Sequence, residues 1–270
     1  MLYRMMDHEA PAGVNPHVPN AARMFDYYLG GKDHFAVDRA AAQQVLAFMP
    51  QMREVARAGR DLIGRVVRRL VAEEGITQII DLGSGLPTRD NVHQIAHRVA
   101  PETRVVYVDN DEVVCAHGRA LLADPGRVTV VRGDIRKPAE ILADPQLRAV
   151  VDLDEPVAVL MMYVLHLIPD TDGPHEAVDT IRDTVAPGSF LAVSHACDDA
   201  NPPYMARITA IYERANSPFV PRSRADIARF FGDFAMLPPG LVNVWPYPTP
   251  PAPMDPELAA TGYSGVGRKI

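Results

Sequence analysis

Cysteine is nearly missing from this chain of 270 residues, which holds only Cys115 and Cys197. The pair matches no disulfide framework and no metal-ligand spacing, so no metal site is assigned and a reducing, cytoplasmic setting is expected. Lysine is scarce too: 27 basic residues include only Lys32, Lys137 and Lys269, and 34 acidic residues leave a formal charge of -7. That balance argues against a surface built to track phosphates, which makes nucleic acid an unlikely partner. Long apolar runs are also absent. The stretch MMYVLHLI stops at Pro169 and Asp170, well short of the roughly 20 residues that span a bilayer, so no membrane partner is expected. The N-terminal MLYRMMDHEA lacks the apolar core of a signal peptide.

What is present is an ordinary folding composition, 47% hydrophobic and 23% charged, at a length that suits one large domain with a helical addition. Residues 1–18 show no periodic apolar pattern and are expected as a mobile tail. From Asn20, the segment NAARMFDYYL places Ala22, Phe25, Tyr28 and Leu29 on one helical stripe, which Gly30 and Gly31 end. Further helices are expected from Val37 to Phe48 and from Met52 to about Glu74, so that residues 19–75 form an N-terminal helical cap. Residues 76–270 then alternate. TQIIDLG, RVVYVD, RVTVVRGD, EPVAVLMMY and SFLAVSH read as short apolar strands separated by helical spacings, and LVNVWPY and YSGVGRKI read as two more. This predicts an α/β fold with a doubly wound, seven-stranded, mostly parallel sheet. A helical insertion is expected at about 200–222, where Tyr204, Ile208, Ile211 and Tyr212 recur at helical spacing, to pack on the sheet or to wall a pocket.

In such sheets ligands bind beyond the carboxyl ends of the strands. The first strand ends in DLGSGLPT, with Asp81 followed by Gly83 and Gly85, which permit a tight turn and close backbone approach. The second ends at Asp109, a carboxylate able to accept from both ribose hydroxyls, and the third ends in RGDIR, placing Asp134 and the Ile135 amide at the same rim. Any one of these aspartates could simply cap the next helix. Three in order point to an adenosine-containing cofactor, and the missing third glycine after Gly85 disfavours a dinucleotide.

DLGSGLPT, YVDND, RGDIR and VLHLIPD, in that order, resemble the Rossmann-like class of S-adenosylmethionine-dependent methyltransferases. NAARMFDYYLGGKDHFAVDR, DLGSGLPTRDNVHQIA and the closing YSGVGRK resemble, more narrowly, a bacterial S-adenosyl methyltransferase family that was formerly a domain of unknown function. The resemblance runs from Pro19 to Lys269. It implies S-adenosylmethionine as cofactor, with Asp81, Gly83 and Gly85 under its methionine, Asp109 at the ribose, and Asn110, Asp134 and Ile135 around the adenine. Met162 would lie beneath the sulfonium, with Tyr163 and His166 on the transfer side. Leu86-Pro87 replaces the more usual third glycine of that class and leaves the path of the loop open.

Methyl transfer from a sulfonium depends chiefly on alignment, and a general base is needed only for a protonated acceptor. His166 is the candidate base, with packing at a strand end as its alternative role. His195 is expected to line the substrate pocket, as is Tyr163. NPPY, Asn201 to Tyr204, matches the tetrad of amino-methylating nucleic-acid enzymes, but it follows the fifth strand rather than the fourth and reads as a proline-started helix. The expected acceptor is a small molecule. The alternatives are a non-catalytic or regulatory cofactor binder and, further off, a nucleic-acid methyltransferase. Nothing distinguishes a monomer from a homodimer.

FDYYLGGKDHF, Phe25 to Phe35, is unusually aromatic for a chain that is 7% aromatic. It is expected to fold over the strand ends as a lid. Arg23 would meet the cofactor's carboxylate, Tyr27 would reach the site with its hydroxyl, and Gly31 would allow close backbone approach.

Overall fold

The β-branched runs pair as their spacing predicts. In the computed structural model, which describes residues 14–88, 90–199, 202–244 and 261–270, β1 (Gln78–Leu82), β2 (Arg104–Asp109), β3 (Val128–Arg132), β4 (Ala158–Met162) and β5 (Phe190–Ala196) are parallel, in the order β3-β2-β1-β4-β5. Strand order reverses between β1 and β4, so the crevice for a ligand opens at their carboxyl ends.

Three antiparallel strands extend the sheet beyond β5. Of these, β8 (Gly262–Arg268) pairs with β5, while β6 (Ala235–Met236) and β7 (Val242–Asn243) both pair with β8. The sheet thus has eight strands among the described residues instead of seven. Pro238, Pro239 and Gly240 interrupt the segment before β7, and because proline donates nothing to a ladder the chain forms two short pieces there. Trp245 to Tyr247 of the expected strand lie outside the described residues.

Side chains alternate between the two faces of the sheet. Ile79, Val105, Tyr107 and Leu160 face α3 (Met52–Ala72), α4 (Val92–His97) and α5 (Glu112–Leu121). Ile80, Leu82, Val106 and Met161 face α6 (Pro138–Leu142), α7 (Pro145–Arg148), α8 (Pro174–Thr184) and α10 (Arg224–Arg229). The long α3 therefore belongs to the sheet's own core through Leu62, Val66, Val67 and Leu70.

A third apolar cluster joins α1 (Ala21–Leu29) and α2 (Ala36–Leu46) to α9 (Pro202–Tyr212), through Met24, Tyr28, Val45, Met205, Ile208 and Tyr212. The N-terminal helices and the 200–222 insertion thus make one bundle. Asn20 caps α1 by accepting from the Arg23 amide, and Gly30, at φ 81°, closes it in the left-handed conformation. Within the segment expected as a tail, Val14 packs beside Leu86, and the Val18 carbonyl accepts from Arg23 at 2.8 Å. The rest of the expected tail, residues 1–13, lies outside the described residues. Pro202 opens α9 as the proline reading of NPPY requires, and Asn201 is also outside them.

Candidate active site

The loop after β1 is fastened to the end of β2. Gly83 and Ser84 donate to the Val108 carbonyl at 2.8 and 3.2 Å, and Gly85 donates to Oδ2 of Asp109 at 2.9 Å. Gly83 and Gly85 both hold positive φ, 72° and 66°, where a side chain would strain the turn. A Cβ on Gly83 would also strike Val164, whereas one on Gly85 would meet nothing within 4 Å. Leu86 takes the path left open by the missing glycine. It is buried against Val113 and Val114 of α5, with Ala22 of α1 packed beside them.

Asp109 is nearly buried, with Oδ1 taking the Asp111 amide at 2.9 Å. Burial pushes its pKa up to about 6, against the pull of the Asp111 and Gly85 amides. Asp81, buried near the end of β1 and not among the residues that line the cavity, has its pKa pushed up to about 7, chiefly by burial, with Arg60 opposing and Asp109 adding to the rise. Asn110, just after β2, and Asp134 and Ile135, after β3, line the same space. Arg136 forks the Asp134 carboxylate at 2.9 and 2.6 Å and reaches Asp172 at 2.8 Å, which holds the Asp134 pKa below its ordinary value. The Ile135 amide donates to no group among the described residues.

These strand ends form one wall of a cavity of about 360 Å³. Met162, at the end of β4, lies on it, followed by Tyr163 at φ 63°, a conformation that costs an aromatic residue energy and tends to gather at functional sites. The Tyr163 amide is held by the carbonyl and hydroxyl of Ser194, each at 3.1 Å. Its ring stacks on Phe25 with centroids 6.2 Å apart, and its far edge fills the space that Gly59 leaves open on α3.

His166 and His195 both line the cavity and meet edge to face at 5.4 Å. His195 is wholly buried. Its Nδ1 donates to the Ala196 carbonyl at 2.7 Å, so Nε2 accepts from Arg222 at 2.8 Å, and burial pushes its pKa down to about 3. Nδ1 of His166 accepts from the Ala196 amide at 3.4 Å, which leaves the proton on Nε2. Burial, then His195 and Arg222, hold the His166 pKa well below its ordinary value. Both imidazoles are neutral, and the nitrogen of His166 that could take a proton is already occupied. His166 therefore presents its Nε2–H as a neutral hydrogen-bond donor in this structure.

The segment expected as a lid lies along the cavity, with its side chains placed differently from expectation. Arg23 is turned away from the cavity into a buried pair with Asp38 at 2.8 Å, and it also donates to the Val18 carbonyl. Tyr27 faces Gln43, Arg53 and His34 on the outer side of α1. Gly31 gives room to the Asp26 carboxylate, which takes the Asp33 amide at 2.9 Å. The lid residues that do line the cavity are Asn20, Ala21, Ala22, Phe25, Asp26, Tyr28 and Leu29. Asn20 also donates to Asp111, the cap of α5, at 2.7 Å, which ties the lid to the end of β2. Arg60, on the cavity wall within electrostatic reach of Asp81, is a lining residue that the sequence did not single out, and Tyr28 appeared there only as one of the α1 stripe.

The residues present fit an adenosine-bearing ligand: a buried carboxylate after β2, an uncommitted amide after β3, and glycines after β1 with open space above one of them. Fold and strand ends together define a Rossmann-like methyltransferase that uses S-adenosylmethionine. A family model described as S-adenosyl methyltransferase matches residues 7–270, and the chain belongs to that family. Its activity is S-adenosylmethionine-dependent methyl transfer. A putative methyltransferase from Thermobifida fusca YX is similar at 38% identity and a TM-score of 0.89, covering 96% of this chain and 98% of that one. A DUF574 family protein from Streptomyces avermitilis MA-4680 is similar at 35% identity and 0.89, covering 94% and 98%. A mitomycin 7-O-methyltransferase shares the fold alone, at 17% identity and 0.51 over 81% of this chain and 56% of that one. No curated protein matched. Among the described residues, no helix is long and apolar enough to cross a membrane.

Proposed function

We propose that this enzyme methylates a small molecule held in the same cavity, at the end bounded by α1, α3 and α9. The observation that carries the reading is continuity: one space runs from the glycine loop and Asp109 to the helical bundle. In this reading Gly83 and Gly85 let the backbone approach the methionine portion of the cofactor, and Asp109 accepts from its ribose. Asn110, Asp134 and the Ile135 amide meet the adenine. Arg60 stands where Arg23 was expected, as the cation for the carboxylate. Met162 and Tyr163 form the floor beside the sulfur.

When bound, the cofactor supplies a methyl group on a positively charged sulfur, an activated leaving group. The protein's share is alignment and exclusion of water. The stacked Phe25 and Tyr163 rings both line the cavity, and α1 covers it. His166 donates from Nε2 to orient the acceptor and leaves the acceptor's proton alone. The formal charge of -7 and a site roofed by helices argue against a flipped base as acceptor.

Calorimetry with S-adenosylhomocysteine tests the first half: the wild type binds, and Asp109→Ala binds roughly tenfold or more weakly. No binding by the wild type would sink the reading. Incubation with labelled cofactor and a metabolite extract tests the second half, by transfer of label to a small molecule rather than to added DNA or RNA.

A further inference from the structure

The α1–α3–α9 end of the cavity differs in chemistry from the strand-end side. Phe25, Leu29, Met52, Met205, Ile208 and Phe219 line it, and aromatic contacts run through it, with Phe219 against His166 at 5.0 Å and against Tyr212 at 5.2 Å. The charged residues on the cavity wall are elsewhere. Asp109, Asp111, Asp134 and Arg136 belong to the β2 and β3 ends, Asp172 of the turn after β4 is bound to Arg136, Arg60 stands by Asp81, and Asp26 is turned into the Gly31 turn, where it takes the Asp33 amide and pairs with His34. Within this apolar end are two buried phenols. The Tyr28 hydroxyl lies near that of Tyr212 but makes no hydrogen bond of good geometry with it or with any other described group. Burial pushes both hydroxyls towards the neutral form, Tyr212 up to about 12.

A buried hydroxyl without a partner is costly, and it is kept where a ligand completes it. We propose that this end of the cavity binds an uncharged, ring-bearing, largely apolar acceptor whose polar group is held by the hydroxyls of Tyr28 and Tyr212. Planar rings suit the aromatic walls, and the flexible thioethers of Met49, Met52 and Met205 fit irregular outlines. An acceptor bearing a carboxylate, phosphate or ammonium group at this end would lose its hydration and find no opposite charge. The inference rests on the methyltransferase reading only in calling the ligand an acceptor.

Fluorescence titration with 2-naphthol as the probe tests it, alongside naphthalene, 2-naphthoate and 2-naphthylmethylammonium at about pH 7. Naphthol is expected to bind, and both charged probes to bind about tenfold or more weakly. Tyr28→Phe and Tyr212→Phe, which keep the rings, should each weaken naphthol about five- to tenfold. Naphthalene, which offers no hydroxyl, should bind all three proteins alike. Charged probes binding as well as naphthol, hydroxyl-deleted variants binding it as the wild type does, or no naphthol binding at all would each overturn the proposal. Calorimetry with S-adenosylhomocysteine on the same preparations separates the two readings. If it fails to bind while naphthol keeps its tyrosine dependence, the cofactor assignment falls and this proposal stands.

Discussion

Oδ2 of Asp109 accepts the Gly85 amide at 2.9 Å, so the carboxylate at the end of β2 holds the glycine loop after β1 in shape. The same carboxylate is proposed to hold the ribose, and its pKa is pushed up to about 6 by burial. The sign follows directly: the ionised form dominates above about pH 6, and protonation below that removes an acceptor oxygen. S-adenosylhomocysteine affinity measured by calorimetry should be full near pH 8 and fall below about pH 6, by up to tenfold per unit. Asp109→Asn should bind weakly throughout and lose most of that slope. A variant with an unchanged slope would remove Asp109 from the account.

Asp81 should work against stability. Its folded pKa of about 7 lies well above the ordinary aspartate range, so the folded protein holds this proton more tightly than the unfolded chain. The stabilisation is fully present below about pH 4 and is lost as pH rises through about 7. Asp81→Asn should therefore melt about 2–4 °C above the wild type near pH 8, which corresponds to roughly 1 kcal/mol, and the gap should close near pH 4. Thermal melts at several pH values check it.

Arg23 and Arg60, the two candidates for one carboxylate, should separate cleanly. Arg23 and Asp38 are 4% and 0% exposed and paired at 2.8 Å, so Arg23→Met strands a buried charge and should cost about 3–5 kcal/mol in a denaturant melt. Arg60 lines the cavity, and Arg60→Met should leave the melt nearly unchanged while weakening S-adenosylhomocysteine about tenfold. The opposite pattern would return Arg23 to the cofactor.

Legibility in the sequence followed local chemistry. Asp81, Gly83, Gly85, Asp109 and Asp134 could be read because each ends a β-branched run, and strand ends have a fixed place in this topology. Arg60 could not be read. It is one of several arginines on α3, and only the packing of that helix against Ile79 and Tyr107 decides which of them turns to the cavity. Tyr28 was half visible. Ala22, Phe25, Tyr28 and Leu29 share one helical stripe in the sequence, and in the structure that stripe faces the cavity as well as the core. The eighth strand was hidden because a two-residue strand has no period to detect.

Gly59 should be intolerant of even one methyl group. A Cβ there would lie 2.9 Å from two atoms of the Tyr163 ring, whose backbone is pinned by Ser194 and cannot yield cheaply. Gly59→Ala should cost roughly 1–3 kcal/mol in a denaturant melt despite alanine's better helix propensity. Gly64→Ala on the same helix is the control. Its Cβ would first meet the end of the flexible Arg68 side chain at 3.4 Å, so the change should be neutral or stabilising by up to about 1 kcal/mol. Equal effects at the two positions would show that Tyr163 is free to move.

His166 is expected to stay neutral across the working pH range, with its proton on Nε2. Burial, His195 and Arg222 all push its pKa the same way, and the Ala196 amide occupies Nδ1. Nitrogen-detected NMR of labelled imidazoles should show one His166 ring with an unprotonated Nδ1 and no titration between about pH 5.5 and 8. The choice of replacement then separates a donor from a base. Glutamine places an amide N–H near the position of Nε2, so His166→Gln should keep much of the transfer rate once an acceptor is in hand, whereas His166→Phe, which keeps the ring contacts with Tyr163 and Phe219, should lose it. A His166 resonance that titrates near 6.5, together with equal loss in the two variants, would restore the general base.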